Sequence, residues 1–153
     1  MKKTPYLCGP LTELLPEEQE RTKLFYGQIA DVCGKVLGQR AFVPHEHYDP
    51  IKNASCTPQE VDQAERHQLC DLTSLLIAVA IKPSWGGGIE VEMANQSKIP
   101  VIIMCEKEKL EKRKVSRLLR GNPAVIDIIA YSTIDEALKK LEDRLLNIKK
   151  SLQ

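Results

Sequence analysis

An α/β domain built on a doubly wound, five-stranded parallel sheet of the flavodoxin-like or Rossmann-like kind is the fold this sequence predicts. Three observations carry the prediction. Short apolar runs alternate with helical patterns along the whole chain. Two of the runs, at 75–80 and 101–105, are almost wholly apolar, as strands covered on both faces are. No repeat or low-complexity tract interrupts the alternation. With 153 residues, 42% of them hydrophobic and 28% charged, the chain fits a single domain over 1–153.

The first strand falls at 6–8 and leads through Gly9 and Pro10 into a helix over 16–37, which Gly38 ends as a left-handed cap. A second strand at 41–43 precedes the best-marked boundary in the chain. There Thr57-Pro58-Gln59-Glu60 offers an N-cap hydroxyl, a proline at the first helical position and a carboxylate three residues after the cap. That helix leads to the third strand, at 75–80. A third helix begins in Gly86-Gly87-Gly88 and carries Glu90, Val91, Met93 and Ala94. The fourth strand, at 101–105, is followed by a helix over about 108–120 that stops at Gly121, and the fifth strand is 125–131. The last helix opens at Thr133 with Glu136 three residues on, and Ile134, Leu138, Leu141, Leu145 and Ile148 make one apolar stripe. Five such β-α units predict the strand order 2-1-3-4-5, with ligands beyond the carboxyl ends of the strands where the order reverses.

Charge and composition exclude several classes of function. Twenty-two basic against 21 acidic side chains leave a net charge of +1, without the basic face that a nucleic-acid polymer requires. The longest apolar run, 75–81, falls far short of the roughly 20 residues that cross a bilayer. Lys2 and Lys3 lead into Gly9, Pro10 and the acidic stretch 13–20, which is unlike a secretory signal. Five cysteines, Cys8, Cys33, Cys56, Cys70 and Cys105, are odd in number and form no C-x-x-C pair, so they read as reduced thiols of a cytoplasmic protein. Only His45-Glu46-His47 approaches a metal-ligand pattern, and with no third ligand in view neither a metal nor a cofactor is expected.

Three strand ends should converge: Cys8-Gly9-Pro10-Leu11, Pro44-His45-Glu46, and Lys82-Pro83-Ser84-Trp85-Gly86-Gly87-Gly88. Three glycines in succession cost chain entropy, which points to a backbone that something approaches closely. They also open a helix, whose free N–H groups and positive dipole end attract anions, and Ser84 adds a hydroxyl at the same place. A phosphate seat and a plain tight connection are both consistent with this stretch, which is neither a Walker A loop nor a G-x-G-x-x-G fingerprint. Glu90 and Glu92 follow in the first turns of the helix. Residues two apart diverge by about 200° around a helix, so one of the two faces the strand ends. A carboxylate there serves as a general base, a metal ligand, a nucleophile toward a sugar carbon, or merely a solvated helix-start charge.

Tyr6-Leu7-Cys8-Gly9, the segment Pro83-Ser84-Trp85-Gly86-Gly87-Gly88-Ile89-Glu90-Val91-Glu92-Met93-Ala94, and Val115-Ser116-Arg117-Leu118-Leu119-Arg120-Gly121 together resemble the nucleoside 2-deoxyribosyltransferase superfamily. They are most similar to its 2'-deoxynucleoside 5'-phosphate N-hydrolase branch. The resemblance implies cleavage or transfer at the N-glycosidic bond of a (deoxy)nucleoside or its 5'-monophosphate, with Glu90 attacking the anomeric carbon and holding the sugar as a covalent ester. It implies that Ser84 and the glycines after it, Gly86 and Gly88 included, bind the 5'-phosphate. Tyr6, Cys8, Gly9 and Pro10 would line the sugar and base pocket, with His45 as a pocket histidine. It also implies a homodimer in which Ser116 reaches the neighbouring subunit's site. The chemistry agrees, because an oxocarbenium-like transition state is stabilised by a nearby carboxylate and needs no metal.

Two departures stand out. Family members carry an aspartate in the helix before the third strand, where this chain reads Ala64-Glu65-Arg66-His67-Gln68. A histidine can donate a proton near neutral pH, so His67 is the expected stand-in, with Glu65 available if the helix is shifted. The loop after Gly9 reads Thr12-Glu13-Leu14-Leu15-Pro16 and lacks the family's arginines and glycines. A nucleotide-binding or sensing module without turnover is the alternative that the missing aspartate motivates.

Overall fold

The computed structural model describes residues 2–151, so positions 1, 152 and 153 of the expected 1–153 domain lie outside the described residues. Four parallel strands, β1 (Thr4–Cys8), β2 (Thr73–Val79), β3 (Val101–Glu106) and β4 (Val125–Tyr131), form one sheet in the order β1-β2-β3-β4. The expected sheet of five strands is thus corrected to four among the described residues. Segment 41–43 does lie beside β1, on the side away from β2, but makes only an isolated parallel bridge between Phe42 and Tyr6. Leu7 N donates to Phe42 O at 2.9 Å and Phe42 N donates to Pro5 O at 2.8 Å. Pro44 accounts for the shortness of this pairing: it has no N–H to extend the ladder and starts a 3-10 turn over Pro44–Glu46.

The helices are α1 (Pro16–Leu37), α2 (Pro58–Leu72), α3 (Trp85–Gln96), α4 (Lys107–Glu111), α5 (Arg117–Arg120) and α6 (Ile134–Ser151). Their ends follow local chemistry. Gly38 closes α1 at φ +76°, its N–H bonded to Gly34 O at 3.0 Å. Thr57 caps α2 in a reciprocal box with Glu60. The single helix expected over 108–120 is instead two short ones. Residues 111–114 are charged and exposed, whereas Val115 is buried, so the chain must turn inward. Arg113 makes that turn at φ +56°, and Ser116 then caps α5 by accepting from Leu119 N at 3.3 Å.

Strand residues alternate between two apolar layers. Leu7, Ile77, Val79, Ile102 and Met104 pack under α1 and α6 against Phe25, Ile29, Leu141 and Leu145. Tyr6, Cys8, Leu76, Ala78 and Ile103 face α2 and α3 through Leu69, Val91 and Ala94. The chain leaves β1 by way of α1 toward Phe42 and returns through α2 to β2, on β1's other side. Beyond the ends of β1 and β2 this reversal opens a crevice. Glu18 ties its rim together, accepting from Leu15 N at 3.1 Å and from Lys82 Nζ at 3.0 Å.

Candidate active site

The end of β1 is packed so closely that only glycine fits at position 9. A Cβ on Gly9 would fall 2.2 Å from Tyr26 Oη and 3.0 Å from Val79 O. Tyr26 Oη itself donates to Pro10 O at 2.8 Å, so α1 fixes the loop after the strand. Pro10 is therefore buried, placed by its carbonyl rather than open to a ligand. His45 stands against Tyr26, ring centroids 6.1 Å apart, and burial pushes its imidazole down from the usual value. Its Nδ1 is buried without a hydrogen-bond partner among the described residues.

The start of α3 lies across the crevice. Ser84 is extended (φ −140°, ψ 120°) and is the N-cap, its Oγ accepting from Gly87 N at 3.1 Å. The hydroxyl proton remains available to donate to a ligand. Neither Gly86 nor Gly88 has a positive φ, and a methyl group on either would meet nothing within 4 Å. Each costs the helix about 0.5–1 kcal/mol relative to alanine. The chain's own packing supplies no reason for either glycine.

Glu90 and Glu92 diverge as the helix requires. Glu92 is exposed, accepts from Asn95, Gln96 and Asn122, and these donors hold its carboxyl below the ordinary range. Glu90 turns inward and is half-buried, where Tyr6 Oη donates to its Oε1 at 2.6 Å. Burial drives the Glu90 carboxyl up to about 8; the Tyr6 bond opposes this and the charge of Glu65 adds to it. The Tyr6 phenol is raised in turn by burial and then by Glu90. Burial and then the same carboxylate raise the Cys8 thiol, so Cys8 is not a thiolate nucleophile. Glu65, half-buried on α2, is pushed up by burial and then by Asp62.

A cleft of about 1140 Å³ with largely apolar walls runs from the end of β1 past the start of α3 to α5. Cys8, Gly9, Ser84, Gly88 and Ser116 all border it. Gly86, Pro10 and His45 do not, and neither do Tyr6 and Glu90, although Tyr6 shares the apolar layer of Cys8. Among the expected site residues, His67 is one that the structure leaves on the surface. Its side chain is 64% exposed and its Nδ1 lies 2.7 Å from Asp71 Oδ2, on the solvent side of α2. Glu65, two residues earlier, is the α2 side chain whose charge reaches Tyr6, Cys8 and Glu90. Glu65 is the residue that a shift of the helix makes available in place of His67. The cleft also carries Lys82, Lys109, Lys114 and Arg117; in the sequence the charge run 107–114 fits a solvated helix face and a support for phosphate binding alike.

Among the described residues no group of three His, Cys, Asp or Glu side chains is set to hold a metal ion. Glu46 is bound by Arg40 at 2.7 and 2.8 Å, and His47 stacks flat on Phe42, centroids 4.4 Å apart. All five cysteines are free, three of them buried. No helix of the described residues is long and apolar enough to cross a membrane.

No family model matches the chain. A curated protein of Thermofilum pendens, named "Putative 2'-deoxynucleoside 5'-phosphate N-hydrolase 1", is 34% identical over 90 residues, 58% of this chain and 61% of that protein. The match thus spans less than two thirds of the relative's length. Among solved structures, the Clostridium botulinum CMP N-glycosidase BcmB superposes with a TM-score of 0.61 at 22% identity, covering 93% of this chain and 99% of that one. The solution structure of BlsM gives 0.72 at 19% identity, covering 99% and 94%. A conserved protein from Enterococcus faecalis V583 gives 0.61 at 16%, covering 94% and 99%. At these identities the solved structures establish the shared α/β fold. The sequence match with the N-hydrolase relative bears out the resemblance to the nucleoside 2-deoxyribosyltransferase superfamily that the Tyr6, Ser84–Ala94 and Ser116 segments carry.

Proposed function

We propose that this protein cleaves the N-glycosidic bond of a nucleoside or deoxynucleoside 5'-monophosphate, with Glu90 as the nucleophile. The observation that supports the reading best is the 2.6 Å bond from Tyr6 to Glu90, one turn beyond a helix start whose glycines the chain itself does not need. The phosphate binds at the start of α3, where the Ser84 hydroxyl can donate and the helix dipole favours an anion, the Gly87 and Gly88 N–H groups being held by Ser84 Oγ and Ser84 O. Remote binding energy at that seat brings the sugar to the Cys8 end of the cleft, and the Glu90 carboxyl, bonded to Tyr6 outside the cleft lining, must turn past Cys8 to reach the anomeric carbon.

In the first step an ionised Glu90 oxygen bonds to the anomeric carbon as the carbon–nitrogen bond breaks. The bonding pair leaves with the base, which takes a proton from the Glu65 carboxyl. Esterification removes the charge on Glu90, so Glu65 releases its proton more readily. In the second step water adds to the anomeric carbon as the ester bond breaks, and its proton passes to Glu65. One water is consumed, and free base and sugar phosphate are released. A second base in place of water would give transfer through the same two groups.

The exposed apolar side chains Trp85 (90%), Leu118 (87%) and Ile89 (54%) support a homodimer that brings Ser116 of each chain to the other's cleft. Free thiols suit a reducing, cytoplasmic setting. A nucleotide panel followed by chromatography of free base tests the activity. Base release abolished by Glu90→Gln is the expected result; release unchanged in that variant assigns the nucleophile elsewhere. Tight nucleotide binding with no product would establish the module without turnover.

A further inference from the structure

We propose that the turn between α4 and α5 is a second anion site, which takes the phosphates beyond the first of a nucleoside di- or triphosphate seated in the cleft. The inference rests on the phosphate seat proposed at Ser84 and Gly88. A recess of about 330 Å³ is lined by Arg113, Lys114, Val115, Ser116, Arg117 and Arg120. Residues 114–117 also border the main cleft, so the two spaces adjoin at this turn.

The charge balance of the recess is one-sided. It presents four cations, a hydroxyl and no acid. Among the described residues none of the four cations forms an ion pair, whereas Lys107 and Lys109 on α4 and Lys112 just past its end each have a glutamate partner. Four positive charges within eight residues repel one another, and among the described residues none of them is within ion-pair distance of an acid, although the charge of Lys114 acts on Glu108. The other basic side chains of the cleft wall are occupied: Lys82 is 3.0 Å from Glu18, and Lys109 donates to the Ile81 carbonyl. The one acid of that wall, Glu92, is held by three amides.

The turn is also built to hold its shape. Arg113 keeps a left-handed φ of +56°, a conformation that non-glycine residues hold only when the surroundings enforce it. Val115 is buried, and Arg120 Nε donates to Val115 O at 3.2 Å; among the described residues the outer N–H groups of that guanidinium have no hydrogen-bond partner. Paired guanidiniums on a fixed backbone suit the oxygens of a pyrophosphoryl group. If two chains associate as proposed, the turn of each stands beside the other's cleft and serves the nucleotide there by the same chemistry.

Calorimetric titration of the full-length protein with cytidine and adenosine mono-, di- and triphosphates, and with pyrophosphate alone, tests the site. Affinity should rise with each phosphate, by at least about tenfold from mono- to triphosphate, as added charged hydrogen bonds would give. In the Arg113→Gly/Arg117→Gln double variant the ratio of triphosphate to monophosphate affinity should collapse toward one; glycine suits the backbone at 113, so the fold is spared. Pyrophosphate should be displaced by the triphosphate and not by the monophosphate. A wild-type ratio near one, a ratio that survives the double variant, or pyrophosphate displaced equally by monophosphate would each overturn the inference. These outcomes are independent of turnover: base release without the affinity gain retains Glu90 as nucleophile and removes the recess, and the gain without base release does the reverse.

Discussion

Tyr6 Oη donates a 2.6 Å hydrogen bond to Glu90 Oε1, joining a strand residue to a helix residue 84 positions later. The donor is fully buried in the layer between the sheet and α2–α3, and the acceptor is half-buried beside it. Tyr6→Phe removes the one hydroxyl that favours the ionised form of Glu90. Hydrogen bonds to charged groups are worth about 1.5–3 kcal/mol, so the rate of base release should fall about 10- to 100-fold. Its pH profile should move upward, and steady-state kinetics across pH check both effects.

Base release needs Glu90 ionised and Glu65 protonated at once, so its pH profile should be bell-shaped, and Glu65→Gln should leave a single rise as Glu90 ionises through about 8. Stability should run the other way. The folded state holds its proton from the ordinary carboxyl range up to about 8 while the unfolded chain has lost it, so stability declines across that window and levels off above it. The decline is on the order of a few kcal/mol. Chemical denaturation at a series of pH values should show the slope, and Glu90→Gln should flatten it.

Gly88→Ala separates stability from binding. With nothing within 4 Å of the new methyl group, the helix should gain about 0.5–1 kcal/mol. The same methyl group enters the proposed phosphate seat, so KM for a nucleoside monophosphate should rise while KM for the unphosphorylated nucleoside stays put. A higher melting temperature together with unchanged KM for the monophosphate would remove the phosphate from that turn.

Gly9→Ala should destabilise the protein by about 1–3 kcal/mol through overpacking against Tyr26. Tyr26→Phe deletes the oxygen 2.2 Å from the new Cβ but leaves the ring carbon 2.8 Å away. A double-mutant cycle should therefore show partial rescue, read by urea denaturation.

Glu65→Gln and His67→Ala distinguish the two candidates on α2. The first should slow base release most for poor leaving groups, because it removes the proton donor. The second should leave kcat and KM at wild-type levels, since His67 pairs with Asp71 in solvent.

The sequence by itself determined the local elements and the order of the chain's parts. Thr57, Gly38 and the stripe of α6 marked helix ends and faces through contacts within a turn or two, and α1 lies over Pro16–Leu37 as its pattern requires. It also determined the glycine-rich start of α3 and that one of Glu90 and Glu92 turns inward, because those follow from helical spacing alone. Tertiary structure decided what depends on partners distant in sequence. Segment 41–43 has a strand's composition, yet Pro44 and the edge of the sheet leave it a single bridge. The helix over 108–120 breaks because Val115 must reach the core, a demand no local propensity expresses. Glu65 rather than His67 comes to Glu90 because the rotation of α2 over the sheet is set by packing, and a shift of two residues turns a side chain to the opposite face.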